Sequence, residues 1–147
     1  MKIAAIASGG GHWIQLQRII PAFNGQEIIY VSTHKSFAET VNGHEFYAVP
    51  DASRWNKMRL LLVAYKVFKI ILSTRPDVII STGAAPGVMG IVAGKLVGAK
   101  TIWLDSIANV EKLSLSGKLV LKIADRVYTQ WPSLRTEKIK YAGNVLS

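Results

Sequence analysis

The sequence predicts a doubly wound α/β fold, in which a mainly parallel sheet carries helices on both faces. Short runs of β-branched residues alternate with longer segments of helical periodicity, which is typical of parallel strands joined by crossover helices. Several of these runs are almost entirely apolar, as strands covered on both faces should be. Its 147 residues, 50% of them hydrophobic, suffice for one such Rossmann-like domain, which we assign to residues 1–147.

The strands are predicted where apolar and β-branched residues cluster between turn-forming residues. They are Lys2–Ala7, Glu27–Ser32, Glu45–Val49, Asp77–Ser81, Lys100–Asp105 and Arg126–Gln130, with a short seventh strand near Lys138–Ala142. The helices are predicted where apolar residues recur every three or four positions. They are His12–Phe23, Lys35–Val41, Arg54–Thr74, Pro86–Val97 and Leu113–Ala124.

The composition is strongly basic, with 18 Lys and Arg against 9 Asp and Glu and a formal net charge of +9. Such a balance indicates an anionic partner, which could be nucleic acid, a phospholipid surface or a phosphorylated ligand. Nucleic acid is the weakest of these, because the sequence has neither an RNA-recognition aromatic pair nor zinc-finger spacing. Cysteine is absent and other metal ligands do not cluster, so we expect no metal and no cofactor.

Ligands of doubly wound sheets bind beyond the carboxyl ends of the strands, near the point where the strand order reverses. This rule selects three loops, at 8–12, 81–86 and 105–111. Two of them are rich in glycine and other small residues and lead directly into helices, and the third begins with a carboxylate. We expect the ligand of this protein to lie between them.

The first loop is Ser8-Gly9-Gly10-Gly11-His12. Its glycines allow a tight turn and leave backbone N–H groups free at a helix N-terminus, which favours an anion or a sugar. Neither the dinucleotide pattern nor the Walker pattern is completed, so a nicotinamide site is disfavoured. The alternative to an anion or sugar site is a tight turn without a ligand.

His12 in the first helical turn is a candidate general base, since the helix dipole favours neutral imidazole. The alternative is a structural residue. His34 and His44 lack such surroundings, and we expect them at the surface or in loops.

The second and third loops supply further candidates for ligand binding. These are Thr82, Gly83 and Ala84 in one loop, and Asp105, Ser106 and Asn109 in the other. Small side chains let a ligand approach the backbone closely, although helix–sheet packing would require them equally. Asp105 can hydrogen-bond hydroxyl groups, accept a proton, or cap the following helix.

The segment 54–75 contains six of the eighteen basic residues and no acidic one. On a helical wheel Arg59, Lys66 and Lys69 fall within about 80° of one another, and we predict that they bind an anionic membrane surface. The apolar arc beside them is wider than packing on a sheet requires, so part of it should contact a second apolar surface, either lipid or another subunit. The alternative is a helix sunk deeply between its neighbours. The N-terminal apolar run is too short for a signal peptide, and no segment has the pattern of a membrane span, so we expect a cytoplasmic protein.

The sequence resembles the acceptor-side subunit of two-component glycosyltransferases, both the PssD-type bacterial exopolysaccharide proteins and the related eukaryotic subunit for dolichol-linked chitobiose synthesis. The last of the matching motifs is the most diagnostic. The motifs are Ser8-Gly9-Gly10-Gly11-His12, the segment 76–86, Ser114-Leu115-Ser116-Gly117-Lys118, and Ala124-Asp125 followed by Gln130-Trp131-Pro132.

The resemblance implies the N-terminal, acceptor-binding half of a GT-B glycosyltransferase, similar to one half of the lipid II glycosyltransferase MurG. It implies that His12 is catalytic and that the glycine-rich loops hold an undecaprenyl- or other polyprenyl-pyrophosphate-linked saccharide. A companion subunit would bind the UDP-sugar, and the chain would bring that subunit to the cytoplasmic face of the inner membrane as a peripheral protein. Two features depart from the family: Asp105-Ser106 and Asn109 stand where Glu-Ser and an arginine are usual, and the membrane span of the eukaryotic subunit has no counterpart.

A second hypothesis is a stand-alone enzyme that binds a nucleotide in the glycine-rich loop. A measurement of nucleotide binding distinguishes the two hypotheses, since only the second predicts that the isolated chain binds a nucleotide.

Overall fold

The computed structural model describes residues 1–52 and 56–146. Within these ranges seven strands form one sheet: β1 (Lys2–Ala7), β2 (Glu27–Ser32), β3 (Glu45–Ala48), β4 (Val78–Gly83), β5 (Lys100–Leu104), β6 (Arg126–Thr129) and β7 (Ile139–Tyr141). The strands are all parallel and lie in the order β3-β2-β1-β4-β5-β6-β7. The order reverses between β1 and β4, so the loops after these two strands lie at the topological switch point.

Four α-helices cover the two faces of the sheet: α1 (Gly11–Ile19), α2 (Lys57–Thr74), α3 (Ala84–Leu96) and α4 (Leu115–Val120). Side chains of α2, α3 and α4 share one buried apolar cluster with the sheet, whereas Trp13 and Leu16 of α1 belong to the other. Alternate residues of β1 enter the two clusters, with Ala4 and Ile6 on the first side and Ile3 and Ala5 on the second. Burial on both faces explains the apolar strands, and the predicted doubly wound fold is confirmed.

Several predicted boundaries differ from the structure for local reasons. The predicted helix His12–Phe23 is α1 followed by a 3₁₀ helix at Ile20–Phe23, because Pro21 has no N–H to continue the α-helical ladder. The segment Lys35–Val41 is a 3₁₀ helix, in which Phe37 N–H donates to the carbonyl three residues earlier.

The helix predicted at Leu113–Ala124 is shorter at both ends, and it begins at Leu115 because the hydroxyl of Ser114 accepts a hydrogen bond from Gly117 N–H and caps α4. The predicted strands ending at Val49, Asp105 and Gln130 each stop one residue earlier, and α3 begins at Ala84 rather than at Pro86. The predicted start of the third helix at Arg54 lies outside the described residues.

Strand β4 is two residues longer at its carboxyl end than predicted. Its register with β1 shifts after the pair Ile6–Ser81, and the next pair is Ala7–Gly83, so Thr82 is an extra residue opposite β1. Bulges of this kind turn a side chain out of the regular pleat and are frequent beside functional sites. Here the bulge lies at the switch point.

Helix α2 buries only a narrow stripe. Val63, Val67 and Ile71 are fully buried, whereas Met58 and Tyr65 are 76% and 64% exposed. The alternative of a deeply sunk helix is therefore wrong, and part of the wide apolar arc seen in the sequence faces outward. No helix within residues 1–52 and 56–146 is long and apolar enough to cross a bilayer.

The amino edge of the sheet is held by Asp125, which precedes β6. Its carboxylate accepts hydrogen bonds from Lys95 Nζ at 2.7 Å and from the backbone N–H of Thr101 at 2.8 Å. The Lys95 hydrogen bond, with help from Thr101, lowers the pKa of Asp125 from its ordinary 3.8 to about 2. The Ala-Asp motif thus joins α3, β5 and β6 at the edge opposite the predicted site.

Candidate functional site

His12 and Thr82 bring the first two loops together. The Nδ1 atom of His12 lies 3.0 Å from the carbonyl oxygen of Thr82, and Thr82 Oγ1 donates to the carbonyl oxygen of His12 at 2.6 Å. A carbonyl oxygen only accepts, so Nδ1 carries the proton and Nε2 of the neutral ring keeps its lone pair. Nε2 has no hydrogen-bond partner among the described residues. The half-buried imidazole is thus held in the tautomer that a general base requires.

Gly83 makes this contact possible. A Cβ atom at this position would collide with the His12 ring, and its φ of 150° is one that side chains disfavour. The next residue, Ala84, has φ of 70°, a left-handed value that is unusual for alanine. Strain of this kind persists where surrounding structure enforces it, and it is common at functional sites.

The two helices that begin at these loops have no side-chain cap. Gly10 precedes α1 and Gly83 precedes α3, and neither helix start has a side-chain hydrogen bond to its first-turn N–H groups. Neither first turn contains an acidic residue. Both positive helix ends therefore face the switch point without an internal counter-charge.

The third loop is organised around the buried carboxylate of Asp105, which is 2% exposed. It accepts hydrogen bonds from Trp103 Nε1, Asn109 Nδ2, and both the backbone N–H and the hydroxyl of Ser114, at 2.6–3.2 Å. The absence of a side chain on Gly117 leaves room for this carboxylate. Asp105 therefore holds Ser114, the residue that caps α4, instead of capping the helix itself, and its oxygens are directed into the protein.

Two glutamines that the sequence analysis did not single out as site residues connect the third loop to its neighbours. Gln15 Oε1 accepts from Ile107 N–H at 3.1 Å and from Gln130 Nε2, while Gln15 Nε2 donates to Ser106 Oγ at 3.2 Å. Gln130 Nε2 also donates to the carbonyl of Asp105 at 3.0 Å. Both side chains are buried. Gln15 could have been found in the sequence, since it is a polar residue on the apolar face of the predicted helix.

One turn of α1 thus joins all three loops, because His12 bonds to the second loop and Gln15 bonds to the third. Ser8, Gly9 and Ser106 are half-buried, while Gly10 and Gly11 are exposed. Asn109 contacts Asp105 and does not reach the glycine-rich loops. The predicted loops therefore meet at one edge, but His12 and Asp105 belong to different parts of it.

The Gln-Trp motif closes this edge on the side of β6. Trp131 Nε1 donates to the carbonyl of Ile107 at 2.7 Å, and Gln130 Oε1 accepts from Val145 N–H at 3.0 Å. Arg18 donates to the carbonyl of the same Val145 at 3.2 Å. A cavity of about 280 Å³ lies beside these contacts, lined in part by Arg18, Thr129, Gln130 and Asn144.

A second surface lies on the helical layer, where α3 contacts both α2 and α4 and lies between them. We call it the α2–α4 surface and define it by exposed apolar residues with basic residues around them. The apolar members are Met58, Leu61, Leu62, Tyr65 and Leu72 of α2 and Leu115, Leu119 and Ile123 in or just after α4. The basic members, all exposed, are Lys57, Arg59, Lys66, Lys69, Lys118 and Lys122. The predicted membrane residues Arg59, Lys66 and Lys69 belong to it, and neither helix contains an acidic residue.

A family model described as "Oligosaccharide biosynthesis protein Alg14 like" matches residues 48–145. The chain belongs to this family. Among curated proteins, this Alg14-like chain is 28% identical to the UDP-N-acetylglucosamine transferase subunit ALG14 of Candida albicans, over 97% of the chain and 77% of that protein. It is 23% identical to the Homo sapiens protein of the same name, over 99% of the chain and 83% of the relative.

Solved structures show the same fold at low sequence identity. MurG of Acinetobacter baumannii superposes with a TM-score of 0.79 at 12% identity, over 98% of this chain and 46% of MurG. A UDP-N-acetylglucosamine 2-epimerase from Rickettsia bellii gives a TM-score of 0.74 at 16% identity, over 99% of this chain and 45% of the epimerase. The Alg14-like chain thus spans somewhat less than half of these proteins and has the Rossmann-like fold of a GT-B half.

Proposed function

We propose that this Alg14-like chain is the acceptor-binding, membrane-recruiting subunit of a two-subunit glycosyltransferase. The reaction transfers a sugar from a UDP-sugar to a saccharide linked to a polyprenyl pyrophosphate, in bacteria undecaprenyl pyrophosphate, during polysaccharide synthesis. The observation that carries the proposal is His12 at the switch point, where Thr82 holds the ring and Nε2 is unpaired within residues 1–52 and 56–146, in a chain of this family.

In this mechanism Nε2 of His12 takes the proton of the acceptor hydroxyl. The hydroxyl oxygen then forms a bond to the anomeric carbon of the sugar, and the bond between that carbon and the UDP phosphate oxygen breaks, so UDP leaves with the electron pair. The Nδ1–H bond to Thr82 holds the ring in place and stabilises the positive charge that the proton brings.

The other predicted site residues divide into two groups. The first group lies at the uncapped starts of α1 and α3, which suit an anionic pyrophosphate or a sugar. It consists of Ser8, Gly9, Gly10, Gly11 and residues 82–84. The other three residues make their hydrogen bonds within the protein: Asp105 with Asn109 and Ser114, and Ser106 with Gln15. We therefore assign Asp105, Ser106 and Asn109 to shaping the third loop and not to direct contact with the acceptor.

The donor UDP-sugar binds to a companion subunit in this proposal. Curated relatives support it, since each is named a subunit of a UDP-N-acetylglucosamine transferase and the chain spans most of their length. N-acetylglucosamine is accordingly the first sugar to test.

The α2–α4 surface is proposed to hold the complex on the cytoplasmic face of the inner membrane. Its lysines and Arg59 suit anionic lipid headgroups, and its exposed apolar side chains can enter the boundary of the bilayer. Peripheral attachment at this surface would bring the carboxyl edge close to a lipid-linked acceptor.

Reconstitution tests this function directly. The purified chain should transfer no N-acetylglucosamine to a polyprenyl-pyrophosphate saccharide and bind no UDP-N-acetylglucosamine in calorimetry, and adding the companion subunit should produce both. Transfer by the single chain would contradict the two-subunit proposal, and UDP binding by the single chain would instead support the stand-alone nucleotide-binding enzyme.

A further inference from the structure

His34 lies against the glycine-rich loop, although nothing in the sequence patterns connected the two. It follows β2, the strand next to β1, so the loops after these strands are neighbours. The Cδ2–Nε2 edge of the His34 ring occupies the place that a side chain on Gly9 would take. The preceding residue, Thr33, accepts a hydrogen bond from Gly9 N–H through Oγ1 at 2.9 Å. The 33–34 loop therefore forms a wall of the glycine-rich loop.

A stack of aromatic rings fixes the orientation of His34. Its ring meets Phe37 edge to face, with centroids 5.2 Å apart. Phe37 in turn stacks on Trp13 of α1 at 4.8 Å with an interplanar angle of 8°. Trp13 is buried and next to His12 in sequence. The imidazole of His34 is thus placed by the same helix that carries the candidate base.

The ring nitrogens of His34 are available for a ligand. The side chain is exposed, and neither nitrogen has a hydrogen-bond partner within residues 1–52 and 56–146. An imidazole always has at least one N–H donor, whichever nitrogen carries the proton. A structural histidine that only covered a glycine would not need a polar edge over the loop, since a phenyl ring fills the same space.

We propose that His34 is a ligand-contact residue of the acceptor site, donating a ring N–H to a phosphate oxygen of the acceptor pyrophosphate. The inference rests on the proposed function for the identity of the ligand. The chemistry agrees with the surroundings: the adjacent loop offers backbone N–H groups and an uncapped helix end, and the following residue is the exposed Lys35. His12 and His34 then act on different groups, His12 on the hydroxyl that reacts and His34 on the phosphate that is held.

The test uses farnesyl pyrophosphate, a soluble short-chain polyprenyl pyrophosphate, titrated calorimetrically into the purified chain. His34→Phe keeps the packing on Gly9 and Phe37 but removes the donor, whereas His34→Gln keeps an N–H donor at a similar reach. We expect His34→Phe to raise the dissociation constant about tenfold, as loss of a hydrogen bond to a charged group does, and His34→Gln to stay within about threefold of the wild type.

The control is His44→Phe, which changes another exposed histidine packed edge to face on an aromatic ring, Tyr30. It should bind like the wild type, and all three variants should melt within a few degrees of it. Wild-type affinity in His34→Phe, or no binding of farnesyl pyrophosphate by the unmodified chain, would overturn the inference. Failure of the proposed function would give a different result. In that case binding of farnesyl pyrophosphate would still depend on His34, but the chain would support no sugar transfer with its companion subunit.

Discussion

The carboxyl edge of the sheet and the α2–α4 surface use polar groups in opposite ways. At the carboxyl edge the polar side chains are buried and hydrogen-bonded within the protein. Gln130 donates to the side chain of Gln15 and to the backbone carbonyl of Asp105, whose carboxylate accepts from Ser114. On the α2–α4 surface the charged groups are exposed and surrounded by apolar side chains, and the ion pairs found in the described residues lie elsewhere. The first region is built from bonds of fixed geometry, the second from charge and apolar area.

This difference predicts how each region responds to change. A network of buried hydrogen bonds fails when one member is lost, because its partners are left without water or protein to pair with. A surface that acts through charge and area loses its effect gradually as each side chain is replaced. A single substitution at the carboxyl edge should therefore have a large effect on its own. On the α2–α4 surface the effect on membrane binding should grow with the number of residues replaced.

The largest effect is expected at His12. His12→Ala in the complex reconstituted with the companion subunit should lower turnover by about 10²-fold or more, the range for loss of a general base. Turnover is measured at saturating acceptor, with circular dichroism to verify the fold. His44→Ala, a histidine outside the site, should leave turnover unchanged. Near-normal turnover in His12→Ala would reduce His12 to a residue of the turn.

The charge of the α2–α4 surface should control membrane binding. Each basic group near an anionic leaflet contributes about 1 kcal/mol, so replacing Arg59, Lys66 and Lys69 together by Glu should release the chain from anionic vesicles. The wild type should sediment with these vesicles and only poorly with neutral ones. Thermal stability should change little, because exposed charges contribute little to folding.

A second triple variant separates this surface from net charge. Replacing Arg126, Lys138 and Lys140 by Glu makes the same change in charge at exposed positions on β6 and near β7. It should still sediment. Equal release by both triple variants would show that net charge, and not the α2–α4 surface, holds the chain on the membrane.

Gln15 should show the sensitivity of the buried network. Gln15→Leu leaves Ile107 N–H and Gln130 Nε2 without their common acceptor, so the free energy of unfolding should fall by about 1–3 kcal/mol. Denaturant unfolding at pH 7 measures it. The control is Gln17→Leu on the same helix, where Nε2 is buried without a partner among the described residues, so removing the amide should be neutral or slightly stabilising. Equal losses in both variants would contradict the role of the network.

The smallest effect is expected at the amino edge, where Asp125 meets Lys95. A carboxyl group with a pKa lowered from 3.8 to about 2 stabilises the fold above pH 3.8, and this contribution is lost as the pH falls through about 2. Both side chains are about one third exposed, so Asp125→Asn should cost less than about 1 kcal/mol at pH 7. The difference from the wild type should shrink as the pH falls through about 2 and vanish below it; a difference that persists below this pH would have a cause other than ionisation.

The sequence by itself determined the fold class and the three loops that meet at the carboxyl edge of the sheet. Short apolar runs that alternate with helical segments are typical of parallel strands covered on both faces, and the small residues after β1 and β4 lie at the switch point. These signals are local in the chain, which is why the bounds of β1 and β2 were predicted without error. Helix ends were less accurate, because each depends on one hydrogen bond: Pro21 removes one from α1, and the hydroxyl of Ser114 accepts one at the start of α4.

Only the tertiary structure decided which groups meet. The bulge at Thr82, the bond from His12 to the Thr82 carbonyl, and the contact of His34 with Gly9 join residues that are far apart in the chain, with no periodicity to announce them. The orientation of Asp105 was likewise open in the sequence, where a carboxylate after a strand is equally suited to a ligand or a helix cap. Burial resolved it, because a carboxylate removed from water must take its hydrogen bonds from the protein around it.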